Sequence, residues 1–322
     1  MSAANKSFEQ RVEQIAQEDS NLSHMQPVIA KELLHYDILY ALDMEGLLDQ
    51  LTFQGGTSLR LCRQSRRYSE DLDFAGGREF QADNLNRMKE CLIESISDRY
   101  QVDVRVKEPS AIRQSGKETE RGDQVKIDTW QISVETAPKK KDIPRQRIKI
   151  EVANIPAYTR EVMPLHLNYG FLPQSYRSLL IYTESMNEIM ADKLISFPVT
   201  QKYIRHRDVW DLVWLQQNGA ELSLPLVQNK IKDYHITDYE ALLMHRVEQV
   251  PQIVSSDSFA NEMHRFLPAD VYARTIQNEK FMNYLTTALT SLLLDTKKGM
   301  EQIQQIDDAF DPGAGSGTSF RL

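Results

Sequence analysis

The chain has 322 residues, enough for two domains of ordinary size or one large one. Lys and Arg number 38 against 46 Asp and Glu, a net charge of −8, which excludes a uniformly basic nucleic-acid coat but not a local basic patch. With 41% apolar and 26% charged residues the chain can bury a sizeable core, and its two cysteines, Cys62 and Cys91, cannot form a disulfide framework or a four-thiolate zinc site. Residues 1–21 are polar, without the apolar stretch of a signal peptide, and no run reaches the ~18 apolar residues of a membrane span. The expectation is a cytoplasmic protein with no membrane partner.

In chain order, residues 26–43 place Val28, Ile29, Leu33, Leu34, Ile38, Leu39 and Leu42 at helical spacing. A short helix is expected over 44–50, a strand over 51–53 ended by Gly55-Gly56, and a helix over 57–62 with Thr57 as its N-cap. A strand at 72–74 and a helix over 82–99 follow. Val102, Val104 and Val106 alternate strictly, as in a half-buried strand; Val125, Ile127, Ile132 and Val134 suggest a second strand, and Ile148, Ile150 and Val152 a third. The polar stretch 108–123 reads as a hairpin loop. Beyond Pro156, apart from a strand near 179–182, helices are expected over 186–197, 207–217, 225–233, 237–247, 260–266, 269–277 and 279–309. The fold class is therefore α+β. A lobe over residues 1–155 combines a small mixed sheet with helices, a mostly helical lobe covers 156–310, and a flexible Gly/Ser-rich tail spans 311–322.

The most informative stretch runs from Phe53-Gln54-Gly55-Gly56-Thr57-Ser58-Leu59-Arg60 to Arg67-Tyr68-Ser69-Glu70-Asp71-Leu72-Asp73-Phe74. Side chains alternate along a strand, so Leu72 and Phe74 can face the core while Asp71 and Asp73 share the other face. Such a pair suits Mg²⁺ or Mn²⁺, hard cations that take carboxylate and phosphate oxygens. Two ions about 3.5–4 Å apart would stabilise both oxygens of a phosphoryl displacement. Gly55 and Gly56 let backbone approach a phosphate, and the following helix aims its free N–H groups at the anion. The hydroxyls of Thr57 and Ser58 can add hydrogen bonds, and Arg60 and Arg67 can neutralise a triphosphate. Taken alone, a Gly-Gly is usually a turn and an Asp-x-Asp a solvated strand edge; their order and separation carry the reading.

These two motifs, with Gly56 and Asp71 fifteen residues apart, resemble the AbiEii/AbiGii toxin family. That family belongs to the DNA-polymerase-β-like nucleotidyltransferase superfamily and is related to the MenT toxins. The resemblance returns at 186–212, in Asp192-Lys193-Leu194 and Arg207-Asp208-Val209-Trp210-Asp211-Leu212. It implies a metal-dependent transfer of a nucleoside monophosphate from an NTP to a hydroxyl, in the toxin of a type IV toxin–antitoxin or phage abortive-infection pair. Some relatives modify the 3′ acceptor end of tRNA, so tRNA or another RNA and a cognate antitoxin are the implied partners. The resemblance also implies that Lys193 contacts the triphosphate and that Asp208 is the second-lobe catalytic acid, orienting Lys193 or accepting a proton. A third metal-binding carboxylate is implied as well. Glu151 shares the face of Lys149 opposite Ile148, Ile150 and Val152, and Asp128 is its competitor.

The blander readings stand beside these. Lys193 alone is a snorkelling lysine at the edge of an apolar face, and Asp208 alone compensates a helix dipole. Asp211, one turn on, is expected to be structural, although it could exchange roles with Asp208. Between residues 138 and 150, Lys139, Lys140, Lys141, Arg145, Arg147 and Lys149 oppose only Asp142, a local net charge of +5. That run is either a solvated loop or a track for an RNA backbone. Transfer to a protein or small molecule, and NTP binding without turnover, are the alternative functions.

Overall fold

The alternating runs assemble into one sheet. In this computed structural model, which describes residues 6–110, 125–140 and 142–310 (side chains to 305), seven strands are present. They are β1 (Thr52–Gln54), β2 (Leu72–Ala75), β3 (Val104–Lys107), β4 (Ile127–Val134), β5 (Gln146–Ala153), β6 (Glu161–Pro164) and β7 (Leu180–Thr183). Their spatial order is β3-β4-β5-β2-β1-β7-β6. The β2/β5 and β1/β7 pairs are parallel and the others antiparallel. Most of the expected hairpin loop, Lys141 and the whole of the tail lie outside the described residues.

The described helices are α1 (Phe8–Glu18), α2 (Gln26–Met44), α3 (Gly55–Arg63), α4 (Met88–Tyr100), α5 (Met186–Val199), α6 (His206–Gln217), α7 (Leu224–Asp233), α8 (Tyr239–Val254), α9 (Asp257–Phe266), α10 (Ala269–Arg274) and α11 (Glu279–Phe310). Helix α1 was not anticipated, although its Ser7–Gln10 capping box is legible in the sequence. The helix expected over 44–50 is a series of turns, because Gly46 takes φ +68° just after α2 ends. Among the described residues no helix is long and apolar enough to cross a membrane.

One hydrophobic cluster collects α2, α4 and the apolar side of the sheet, including Trp130, Ile148, Ile150 and Val152, together with Phe266 of α9. A second gathers the helices from Ile189 to Leu293. Strands β6 and β7 join the sheet, so the expected division at residue 155 does not coincide with the sheet's last strand. Helix α3 belongs to both bodies: Leu61 and Cys62 pack in the first cluster and Leu59 in the second. Through α3, the glycine turn is fixed between the two halves of the molecule.

Candidate active site

The site is built on strand register. Asp73 on β2 lies directly opposite Glu151 on parallel β5 and Gln54 on antiparallel β1. Directly opposed residues share a face, so these three side chains project from the sheet side away from Phe74 and Val152. Asp71 sits just before β2 and accepts a hydrogen bond at Oδ1 from the Lys149 backbone N–H, 3.1 Å away. Burial, then the charges of Glu151 and Asp71, push the Asp73 carboxyl up to about 7. Asp128 does not join them. It pairs across from Val152 on the core side, buried and bound by Lys126 at 3.0 Å.

The glycine turn meets this cluster. Helix α3 starts at Gly55, two residues earlier than expected, with Gln54 at the N-cap and no side-chain cap. Gly55 takes φ +76°, and a Cβ added there would lie 2.7 Å from Asp73 Oδ2. Only glycine fits this backbone beside this carboxylate. Thr57, the expected N-cap, instead donates its hydroxyl to the Asp71 carbonyl, and Ser58 donates to the Gly55 carbonyl at 2.9 Å. Both hydroxyls therefore hold the turn in shape, and an anion at this helix start would meet the backbone N–H groups of its first turn.

The two arginines are committed elsewhere. Arg60 forks onto buried Glu32 at 2.7 and 3.1 Å and lies 4.0 Å from the centre of the Tyr68 ring. Arg67 is buried against Gly56 and forks onto Asp211, with both bonds at 2.6 Å. Gly56 is what permits that close approach. Neither guanidinium is a spare cation at the turn; each braces the segment that carries it.

From the helical half, Lys193 on α5 reaches Asp208 at 2.9 Å and Asp211 at 2.8 Å on α6. Burial opposes its charge, but the two carboxylates outweigh that and raise its pKa, so it is an ammonium. Burial likewise works against the Asp208 carboxylate, yet Lys193 and Arg205 hold it well below the usual range. Asp208 also accepts from Ser196 Oγ at 2.9 Å. A carboxylate so thoroughly paired is a poor proton acceptor and a good anchor. Arg205 bonds Asp208 and is close enough to Asp73 for their charges to interact.

Two site residues escaped the sequence reading as site residues. Arg205, two residues before the Arg207-Asp208 motif, belongs to no motif of its own. Gln54 falls between the expected 51–53 strand and the glycine turn, yet it ends β1 opposite Asp73 with a buried Oε1 that has no hydrogen-bond partner. Its signal was positional, as the residue immediately before Gly-Gly.

As a cation site, the donor set is all oxygen and mutually repulsive, which suits a hard divalent ion. Among the described residues no three His, Cys, Asp or Glu side chains converge into a complete protein cage. Mg²⁺ characteristically takes one or two carboxylates and fills its shell with water and substrate phosphates, so an incomplete cage fits that ion.

The profile for the nucleotidyl transferase AbiEii toxin of type IV toxin–antitoxin systems matches residues 37–287. Among solved structures, the nucleotidyltransferase toxin MenT4 from Mycobacterium tuberculosis is similar at 18% identity and TM-score 0.50, over 88% of this chain and 89% of that one. JHP933 from Helicobacter pylori matches at 16% identity and TM-score 0.42, over 88% and 97%. No curated protein matches the chain. The family match spans both halves of the molecule, from α2 to α11, and takes in the glycine turn, the strand carboxylates and the Lys193 network alike: the chain belongs to the AbiEii family of nucleotidyltransferase toxins.

Proposed function

We propose that this nucleotidyltransferase moves a nucleoside monophosphate from an NTP to a hydroxyl of an RNA acceptor, with the 3′ end of tRNA as the leading candidate, in a Mg²⁺-dependent reaction. The observation that carries the reading is the opposition of Asp73 and Glu151 beside the Gly55 turn. It sets metal-type oxygens next to a phosphate-type cradle. Type IV membership implies a cognate antitoxin as partner.

In this reading the acceptor oxygen forms a bond to the α-phosphorus while the bond to the β-phosphate bridging oxygen breaks, releasing pyrophosphate. Asp71 and Asp73, with Glu151, would hold the divalent ion, which when bound supplies Lewis-acid stabilisation of the phosphoryl oxygens. The same carboxylate cluster takes the proton of the attacking hydroxyl. The N–H groups at the start of α3 bind phosphate oxygens. Lys193 has spent two of its three donors on Asp208 and Asp211, and the third stabilises charge developing on pyrophosphate. Thr57, Ser58, Arg60 and Arg67 act on the triphosphate indirectly, by fixing the turn. Asp208 and Asp211 position Lys193.

The test offers each labelled NTP, with Mg²⁺ and total tRNA, to wild type and to Asp71→Ala. Label should enter RNA with wild type alone, and chelation should abolish it. Transfer that survives Asp71→Ala or metal removal overturns the mechanism, and label confined to protein or small metabolites overturns the acceptor. Regulated expression should arrest growth, with relief by Lys193→Ala.

A further inference from the structure

The strand register that opposes Asp73 to Glu151 continues outward in rows. Next to Glu151 on the same face stands Thr129. Two residues back along β5 the row is Lys149–Gln131–Lys107, and two further back it is Arg147–Ser133–Arg105. All of these side chains share the face that carries Asp73 and Glu151, because Trp130, Ile132, Ile148 and Ile150 occupy the other. Arg105, Lys107, Arg147 and Lys149 are exposed. Successive rows are about 6.6–6.8 Å apart and adjacent strands about 4.7–4.9 Å, so four cations occupy a strip of about 7 by 10 Å.

This strip differs from the basic run seen in sequence. Arg145 is folded onto Asp103 at 2.7 Å, and Lys140 is held by Glu9 and Glu13 of α1. The strip instead recruits Arg105 and Lys107 from β3, forty or more positions before Arg147 and Lys149. Among the described residues Lys107 and Arg147 have no carboxylate partner. Arg105 keeps an exposed pair with Asp103, and Lys149 stands 3.5 Å from Glu151. Arg105, Val106, Lys107, Gln131, Ser133 and Arg147 line a shallow depression of about 360 Å³.

We infer that this open face of β3, β4 and β5 is the track on which the sugar–phosphate backbone of a single-stranded RNA end lies as it delivers its terminal hydroxyl to Asp73. The inference rests on the RNA-acceptor reading above. Charge complementarity selects the occupant: the strip is cationic, its uncharged Ser133, Gln131 and Thr129 offer donors and acceptors for ribose and phosphate, and it ends at the anionic reaction centre. The strip bears no aromatic side chain for base stacking, so recognition is of phosphates, sequence-tolerant and salt-sensitive.

The test uses the full chain carrying Arg105→Gln, Lys107→Gln and Arg147→Gln together, none of which touches the carboxylate cluster. With tRNA as acceptor, KM for RNA should rise about tenfold or more while kcat at saturating RNA and KM for NTP stay unchanged. Anisotropy of a fluorescein-labelled single-stranded RNA over about 50–200 mM salt should give a log–log slope shallower by about 2, for three lost contacts at ~0.7 each. The variant Arg105→Lys with Arg147→Lys should bind as wild type does. Unchanged KM and salt slope in the triple glutamine variant overturn the track alone. A wild type that labels no RNA overturns the acceptor reading itself.

Discussion

Arg67 and Asp211, 144 positions apart, form a buried two-pronged ion pair in which both hydrogen bonds measure 2.6 Å. Asp211 also meets Lys193 at 2.8 Å, so one carboxylate ties the segment leading into β2 to the lysine of α5. The pair couples stability to site geometry. Arg67→Ala should cost about 3–5 kcal/mol in urea unfolding, the price of a broken buried pair, toward the lower end because Lys193 still faces Asp211. Arg67→Lys should recover only part of that, since an ammonium cannot reproduce the planar fork. A fully stable Arg67→Ala would refute the pairing.

Lys193→Ala should lower kcat by about 10²–10³-fold, as removal of one preorganised donor to developing charge does elsewhere. Asp208→Asn should lower it much less, because Asp211 still orients the ammonium. It should also leave the pH–rate profile unchanged in shape, because Asp208 is held far below the range in which it could act as a base. A lost acid limb in Asp208→Asn would return Asp208 to the role of proton acceptor.

What was legible in the sequence was local. Gly55, Gly56, Asp71 and Asp73 announce themselves through turn chemistry and two-residue alternation, and Glu151 through the same alternation on β5. Which of Glu151 and Asp128 neighbours Asp73 is a matter of register: both lie on strands, but only Glu151 falls opposite Asp73 while Asp128 falls opposite Val152. Arg60 and Arg67 look available in sequence because their partners, Glu32 and Asp211, are distant along the chain. Arg105 and Lys107 could not be joined to Arg147 and Lys149 before β3 was known to pair with β4 and β4 with β5.

Gly55→Ala tests the close approach of turn and carboxylate. A left-handed backbone costs a non-glycine residue about 1–2 kcal/mol. The added methyl would also press on Asp73 Oδ2 from 2.7 Å. Activity should fall further than stability does, because the side chain that must yield is Asp73, the proposed metal ligand. Kinetics beside thermal melts decide it: a fall in melting temperature with unchanged kcat would detach Gly55 from the site.

Asp73 makes the site's charge burden measurable. Its folded-state value near 7 lies above the ordinary 3.8, so the folded chain binds the extra proton. The associated stability is complete below the unfolded value and is lost as pH rises through about 7. Asp73→Asn should therefore match wild type in melting temperature at acid pH and exceed it at pH 8, while abolishing transfer. Magnesium should reverse the order, stabilising wild type more at pH 8 than at pH 6 because the ion requires the ionised carboxylate. A Mg²⁺ shift equal in wild type and Asp73→Asn would remove Asp73 from the metal site.

A second buried charge cluster surrounds Lys230. Lys230 lies fully buried among Glu184, Glu188 and Asp192 at 3.2, 2.8 and 3.0 Å, one ammonium for three carboxylates. Burial and then Asp192 push the Glu184 carboxyl well up, against the pull of Lys230. Its ionised form is therefore the costly one, and the stability it supports is present at low pH and lost as pH rises. Glu184→Gln keeps the shape and removes the proton requirement, so its melting temperature should gain on wild type as pH rises above the ordinary carboxylate range. Lys230→Met, by contrast, strands the carboxylates and should destabilise by about 3–5 kcal/mol. Glu184 follows Thr183, which pairs with Phe53 just before Gln54, so kinetics beside the melts are the deciding measurement: unaltered kcat and KM in Glu184→Gln make the cluster structural, and a changed KM for NTP places it in the catalytic path.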